Sequence, residues 1–178
     1  MFQGKGVTGM DKKTGMIGTI EVTVKGAFTT HHYLQAEWGD LGELTFPAFS
    51  RGATYEALDG RKVAMQKRGW LGSAHEMVDG GVVRGAANQP KLLHRDIAIQ
   101  FDGQDYSLEP EGILKQGWLL LDAGRNTIME IQPRGVFKQG AYLILHSAIE
   151  VDLAAFAYYL VHMRKQEESA AVAATSAS

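Results

Sequence analysis

The chain has 178 residues, with 18 Lys and Arg against 20 Asp and Glu, a formal charge of −2, 45% hydrophobic residues and no cysteine. This length fits one domain that buries about two-thirds of its unfolded surface. The missing cysteine excludes a disulfide framework, a thiolate nucleophile and a cysteine-based zinc site, and the near-neutral charge argues against non-specific nucleic-acid binding.

Residues 1–15, MFQGKGVTGMDKKTG, lack the apolar stretch of a secretory signal and are expected to form a flexible leader. Within them Gly4-Lys5-Gly6-Val7-Thr8-Gly9 matches GxGxxG. A dinucleotide site needs a strand before that motif and a helix after it. Here it runs into Met10-Asp11-Lys12-Lys13, so no cofactor is inferred from it.

From residue 16 onward, turn signals recur every eight to twelve residues. They include Gly39-Asp40, Ser50-Arg51-Gly52, Asp59-Gly60, Asp79-Gly80-Gly81, Asp102-Gly103, Asp122 to Asn126 and Gln139-Gly140. Gly, Asn and Asp accept the positive φ that tight hairpins require. The intervening segments alternate: Ile20, Val22 and Val24 share one strand face, as do Ile97, Ile99 and Phe101, and less cleanly Thr127, Met129 and Ile131. Roughly ten to twelve strands are predicted on this spacing. An internal echo accompanies them. Leu58-Asp59-Gly60-Arg61 with Gln66 to Trp70 parallels Leu121-Asp122, Gly124-Arg125 and Gln132 to Val136. The echo reads either as a duplicated hairpin or as coincidence of common turn residues.

The chain then becomes apolar. Residues 150–166 read EVDLAAFAYYLVHMRKQ, with Asp152 the one charge between Val151 and Met163. Ser147-Ala148-Ile149-Glu150 has the form of a capping box, which predicts a helix over about 148–166. Leu153, Phe156 and Leu160 form one stripe, and Ala155, Tyr158, Tyr159 and His162 cover much of the rest. A helix apolar all round is enclosed by protein or lipid, and this run falls short of the roughly twenty residues that span a bilayer. The remainder, 167–178, is rich in small residues and is expected to be a disordered tail.

The expected fold is mainly β: a single domain over 16–166, a closed antiparallel barrel of ten to twelve strands around the apolar C-terminal helix. Twelve strands leave a hollow that one helix can fill. A β-sandwich with the helix across one end is the alternative.

The segments TYEALDGRKVAMQKRG and GWLLLDAGRNTIMEIQPRG, followed by AYLILH and the apolar helix, make the chain resemble the tubby-like C-terminal domain superfamily. Within it the LURP-one-related and phospholipid-scramblase-like proteins are most similar. The resemblance spans roughly residues 17–166 and implies a twelve-stranded barrel around a central helix. Eukaryotic members bind phosphoinositides through basic residues on the barrel wall. No positions here match that basic motif, so those residues do not carry over.

Candidate chemistry is sparse. His31 and His32 are adjacent on a strand and face opposite ways, which disfavours a shared metal. His75, His94 and His146 have no partner in sequence, and no motif marks a nucleophile. His162 reads as a core histidine that titrates low through desolvation. Arg61, Lys62, Lys67, Arg68, Arg125 and Arg134, with Lys138, recur near the echoed hairpins. Were the two units side by side, these cations would form a patch for an anionic headgroup. Otherwise they are loop and edge charges that keep the barrel soluble. Trp38, Trp70 and Trp118 lie near turns or strand ends, and Trp70-Leu71 reads either as an exposed contact for a membrane or protein partner or as a pair buried beneath a loop.

The resulting expectation is a non-catalytic binding or interaction module, with anionic lipid as one ligand, acting in the cytoplasm or peripherally at a membrane. No enzyme activity, cofactor, metal, nucleic acid or transmembrane segment is expected. A structural homo-oligomer and an enzyme with a site at a barrel mouth are the alternatives.

Overall fold

A computed structural model of the chain describes residues 15–69, 74–88, 96–112, 116–135 and 138–176. The Gly4–Gly9 motif, most of the proposed leader, Trp70-Leu71 and His94 lie outside the described residues.

Twelve strands follow in order: β1 (Met16–Lys25), β2 (Thr30–Ala36), β3 (Gly39–Phe46), β4 (Gly52–Ala57), β5 (Lys62–Arg68) and β6 (Ala74–Asp79), then β7 (Val82–Asn88), β8 (Ile97–Phe101), β9 (Gln104–Pro110), β10 (Trp118–Leu121), β11 (Thr127–Pro133) and β12 (Gly140–Ile149). Each pairs antiparallel with its sequence neighbours, and β1 pairs with β12, which closes the barrel. Closure removes every free sheet edge. The helix α1 (Val151–Ser176) follows.

Local chemistry explains the meander. Gly80 and Gly81 (φ 56° and 85°) and Asp102 and Gly103 (φ 46° and 78°) supply both positive-φ positions of two-residue hairpins, as their sequences predict. The β2–β3 tip falls at Glu37-Trp38 rather than Gly39-Asp40, because Ala36 pairs with Gly39. Strand parity sets the core: Ile20, Val22, Leu34, Leu44, Val63, Met65, Ile97, Ile99 and Leu143 all point inward and are buried.

Twelve strands about 4.8 Å apart and tilted about 40° give a backbone radius of about 12 Å. Inward side chains occupy the outer half of that radius, and a helix occupies the rest. Every residue from Asp152 to Val161 is buried, including Leu153, Phe156 and Leu160, so the helix is enclosed on all sides. Gly85 of β7 makes room for it. A Cβ there would stand 3.0 Å from the Phe156 ring and 3.2 Å from Met77 Cβ. Among the described residues no helix is long and apolar enough to cross a membrane.

Both helix boundaries differ from expectation. Ser147 and Ala148 belong to β12, and Ile149 pairs with Met16, so the capping box does not form. Ladder hydrogen bonds over ten residues outcompete one local cap. The helix instead begins with the Glu150 carbonyl accepting from Ala154 N–H at 3.2 Å. At the other end it continues through Ser176, where a disordered tail over 167–178 was expected. Alanine-rich sequence extends a helix readily once a packed segment has nucleated it. Residues 168–175 are exposed, so this extension stands outside the barrel.

Candidate functional site

Strand parity divides the six basic residues. On β5 the even positions Lys62 and Arg68 point outward, with side chains 64% and 72% exposed, paired with Glu56 and Glu76 at 3.1 Å. The odd positions turn toward the helix. Arg61 reaches Asp152 at 2.9 Å at the base of the barrel, where the helix begins, and Lys67 reaches Glu167 at 2.9 Å at the mouth, where it leaves. Six residues of strand span about 20 Å, and fifteen residues of helix about 22 Å. β5 and the residue just before it therefore contact the helix at both ends.

Arg125 and Arg134 belong to the β10–β11 hairpin and its far end, six strands from β4–β5 in a ring of twelve. The structure thus spreads Lys62, Lys67 and Arg68 along β5, with Arg61 immediately before it, and places Arg125 and Arg134 on the opposite wall. Arg125 pairs with Glu109, and Arg134 with Glu21 at 2.5 Å. The echoed tips share their hydrogen bonding: Ala57 N–H to Arg61 C=O and Gly60 N–H to Ala57 C=O match Asp122 N–H to Asn126 C=O and Arg125 N–H to Asp122 C=O. In that match Arg125 (φ 66°) stands where Gly60 (φ 81°) stands, so the two arginines of the echo are not structural equivalents.

The base of the helix is held by ions. Asp152, 7% exposed, accepts from Arg61 and, at 2.5 Å, from Arg84. Arg61 also donates to Asp79 at 3.0 Å, and Arg84 to Asp102 and to Glu150 at 2.9 Å. Two guanidiniums thus meet four carboxylates beside the positive end of the helix dipole. The bond to Asp152 raises the Arg61 pKa, and the bond to Asp102 raises that of Arg84.

Inside the Lys67–Glu167 pair, the mouth is held by neutral groups. His32 Nδ1 lies 2.8 Å from Tyr158 Oη, and its Nε2 3.1 Å from Thr30 Oγ1. Its ring meets that of His162 edge-on at 4.7 Å, and Phe46 lies 4.5 Å and 4.4 Å from the two. His75 Nδ1 lies 2.9 Å from Tyr159 Oη, which donates to the Arg51 carbonyl at 3.4 Å. Burial lowers His32 to about 3, with His162 and His31 adding repulsion. Burial also lowers His75 and His162 to about 4. Burial raises the pKa of both tyrosines. His31, on the outward face, pairs instead with Glu43 at 2.5 Å, so the adjacent histidines diverge. His146 pairs with Glu130 at 2.8 Å, also outside. Among the described residues no group of three or more His, Asp or Glu is arranged to hold a metal.

On the outer wall, a concavity of about 400 Å³ lies across β1–β4, lined by Lys25, Tyr33, Gln35, Asp40, Glu43, Glu56 and Leu58, among others. A register shift between Leu34 and Gln35 interrupts the β2–β3 ladder beside it.

No protein-family model matches the chain, and no curated protein does. Its fold is shared with a crystal structure of an Arabidopsis thaliana protein. The TM-score is 0.57 at 11% sequence identity, over 91% of this chain and 99% of that one. At this identity the likeness is one of fold.

The His–Tyr contacts were partly within reach of sequence: His32 shares strand parity with Leu34, and His75 with Met77, which places both rings inward. The concavity had no such signal, because its lining is assembled from four strands and the β4–β5 tip.

Proposed function

We propose that this chain is a non-catalytic binding module of the tubby-like superfamily that works from the outside of its barrel. The observation that carries this reading is the filled interior: side chains from the helix and the wall occupy the barrel from Leu153 to Val161. Ligand contact then falls to the outer wall and the hairpin tips. The interior histidines are engaged with the helix's own tyrosines, which supports a packing role for them. The Arabidopsis protein of like fold and the twelve-strand order support the superfamily assignment.

Anionic lipid headgroups are the first ligand class to test. Lys62 and Arg68 are exposed cations on one strand, each held by a surface carboxylate that a headgroup phosphate can replace. Co-sedimentation with phosphatidylserine-rich vesicles, with neutral vesicles as control, tests this. Binding that weakens with salt and is lost in Lys62→Glu/Arg68→Glu is expected. No binding to anionic vesicles at low salt removes the lipid ligand from the proposal. Catalytic turnover that depends on a residue of the barrel mouth removes the non-catalytic reading.

A further inference from the structure

The hairpin tips at the base of the barrel are unlike ordinary turns. Trp38 at the β2–β3 tip is 55% exposed and Leu58 at the β4–β5 tip 70% exposed. Small polar residues usually occupy such positions. The Trp38 indole lies over β1, 3.3 Å from where a Gly18 Cβ would stand, and Ile17 beside it is 63% exposed. Leu58 lines the outer concavity.

Charge surrounds these apolar groups with one dominant sign. Asp40, Glu43 and Glu56 line the concavity against a single lining ammonium, Lys25, which rests over the Tyr33 ring at 5.1 Å. Glu37 and Asp59, exposed, are the chain neighbours of Trp38 and Leu58. The lining carboxylates have partners: Asp40 accepts from Gln35 at 2.7 Å, Glu43 pairs with His31 at 2.5 Å, and Glu56 with Lys62 at 3.1 Å. Contacts this close to water exchange at small cost.

We propose that this groove docks a basic segment of a partner protein, with lysine or arginine at the carboxylates, one apolar residue against Leu58 and a second against the Trp38 ring that lies over β1. Charge decides the occupant. Anionic lipid would be repelled by the carboxylates around the apolar tips, whereas membrane-inserting loops carry a basic collar. A second copy joined about a twofold axis would set carboxylates against carboxylates. The closed barrel offers no edge for strand addition, so recognition falls to side chains. The volume is in the range of sites that bind small groups, enough for a few side chains.

This inference rests on the binding-module reading, and its test separates the two. The full chain is titrated with a synthetic peptide of repeating Lys-Leu-Lys-Ser, with its Glu-for-Lys counterpart, and with phosphatidylserine vesicles. Amide shifts and Trp38 indole shifts are followed by NMR. The lysine peptide is expected to perturb Gln35, Asp40, Leu58 and the Trp38 indole saturably. Affinity should fall roughly tenfold in Glu56→Lys and in Leu58→Ser, the loss expected at a contact hot spot, and not in Val172→Ser. Circular dichroism confirms that these surface variants fold. Equal binding of the glutamate peptide, shifts located elsewhere, absence of binding, or vesicles perturbing the same residues would each overturn the groove assignment. Each leaves the vesicle test at Lys62 and Arg68 to judge the module reading on its own.

Discussion

Acidification should begin to destabilise this protein from about pH 6.5 downward, before its carboxylates protonate. In the unfolded chain a histidine takes up a proton near pH 6.5, whereas burial holds His75 and His162 neutral down to about 4 and His32 to about 3. Between those values the unfolded state binds more protons, so stability is full above about pH 6.5 and falls as pH drops toward 4. The groups facing these rings are few. His162 and His31 repel a proton on His32, Lys165 repels one on His162, and at His75 Glu167 opposes the effect while Lys67 adds to it. At about 1.4 kcal/mol per pH unit, His75 alone accounts for about 3 kcal/mol. His162 is only half-buried and shares its repulsion with His32, so the three together give roughly 6–10 kcal/mol, the scale of a whole domain's stability. Near pH 5 the slope should approach about 4 kcal/mol per pH unit, three protons' worth. Urea midpoints followed by tryptophan fluorescence between about pH 7 and pH 5 measure it. In His75→Gln, which keeps a hydrogen-bond partner for Tyr159, the slope should fall by about 1.4 kcal/mol per unit. An unchanged slope in that variant would refute the claim that the native His75 is neutral in this range.

Other perturbations follow from packing. Asp152→Ala removes the carboxylate that Arg61 and Arg84 share, leaving them Asp79, Asp102 and Glu150, and should cost about 1.5–3 kcal/mol in urea unfolding. Gly85→Val drives methyl groups into the Phe156 ring and should cost at least about 1–3 kcal/mol, visible as a lower Tm. Phe156→Ala should cost about 3–5 kcal/mol for the cavity it opens, whereas Phe156→Asp, burying an unpaired charge, should not yield a folded barrel by near-UV circular dichroism. Truncation after Glu168 takes away the exposed helical residues 169–175 and should leave Tm unchanged within about 0.5 kcal/mol of stability.

Much of the barrel was legible in the sequence because its signals are local. Gly80-Gly81 and Asp102-Gly103 encode hairpins of fixed length, and the alternation at Ile20–Val24 and Ile97–Phe101 encodes which face is inward. The helix was legible as a type but not in extent. Ser147 carries a capping signal that the β1–β12 ladder overrides, and the alanine-rich segment reads as disordered unless a packed helix precedes it. The basic residues were found as a set but not in arrangement. Whether Arg61 and Lys67 face inward depends on β5 parity, and whether Arg125 joins them depends on a ring of twelve strands. The concavity beside Leu58 draws its lining from four strands, an arrangement that no single residue pattern announces.

The enclosed helix follows all twelve strands in the chain, and this order bears on how the molecule is made. A chain synthesised at about 5–20 residues per second presents its strands on the order of ten seconds before Val151–Met163 exists. During that interval Ile20, Leu34, Val63 and their inward neighbours have nothing to pack upon, and β1 waits for β12 with its edge open. Folding must therefore be completed late, through contacts widely separated in sequence, which is the slow regime for β topologies. The reverse journey is equally constrained. Lengthwise exit of the helix is opposed by its packing on all sides and by Phe156 against Gly85, so release should require a seam between strands to part. The protein should live long once made, and be most vulnerable while it is being made.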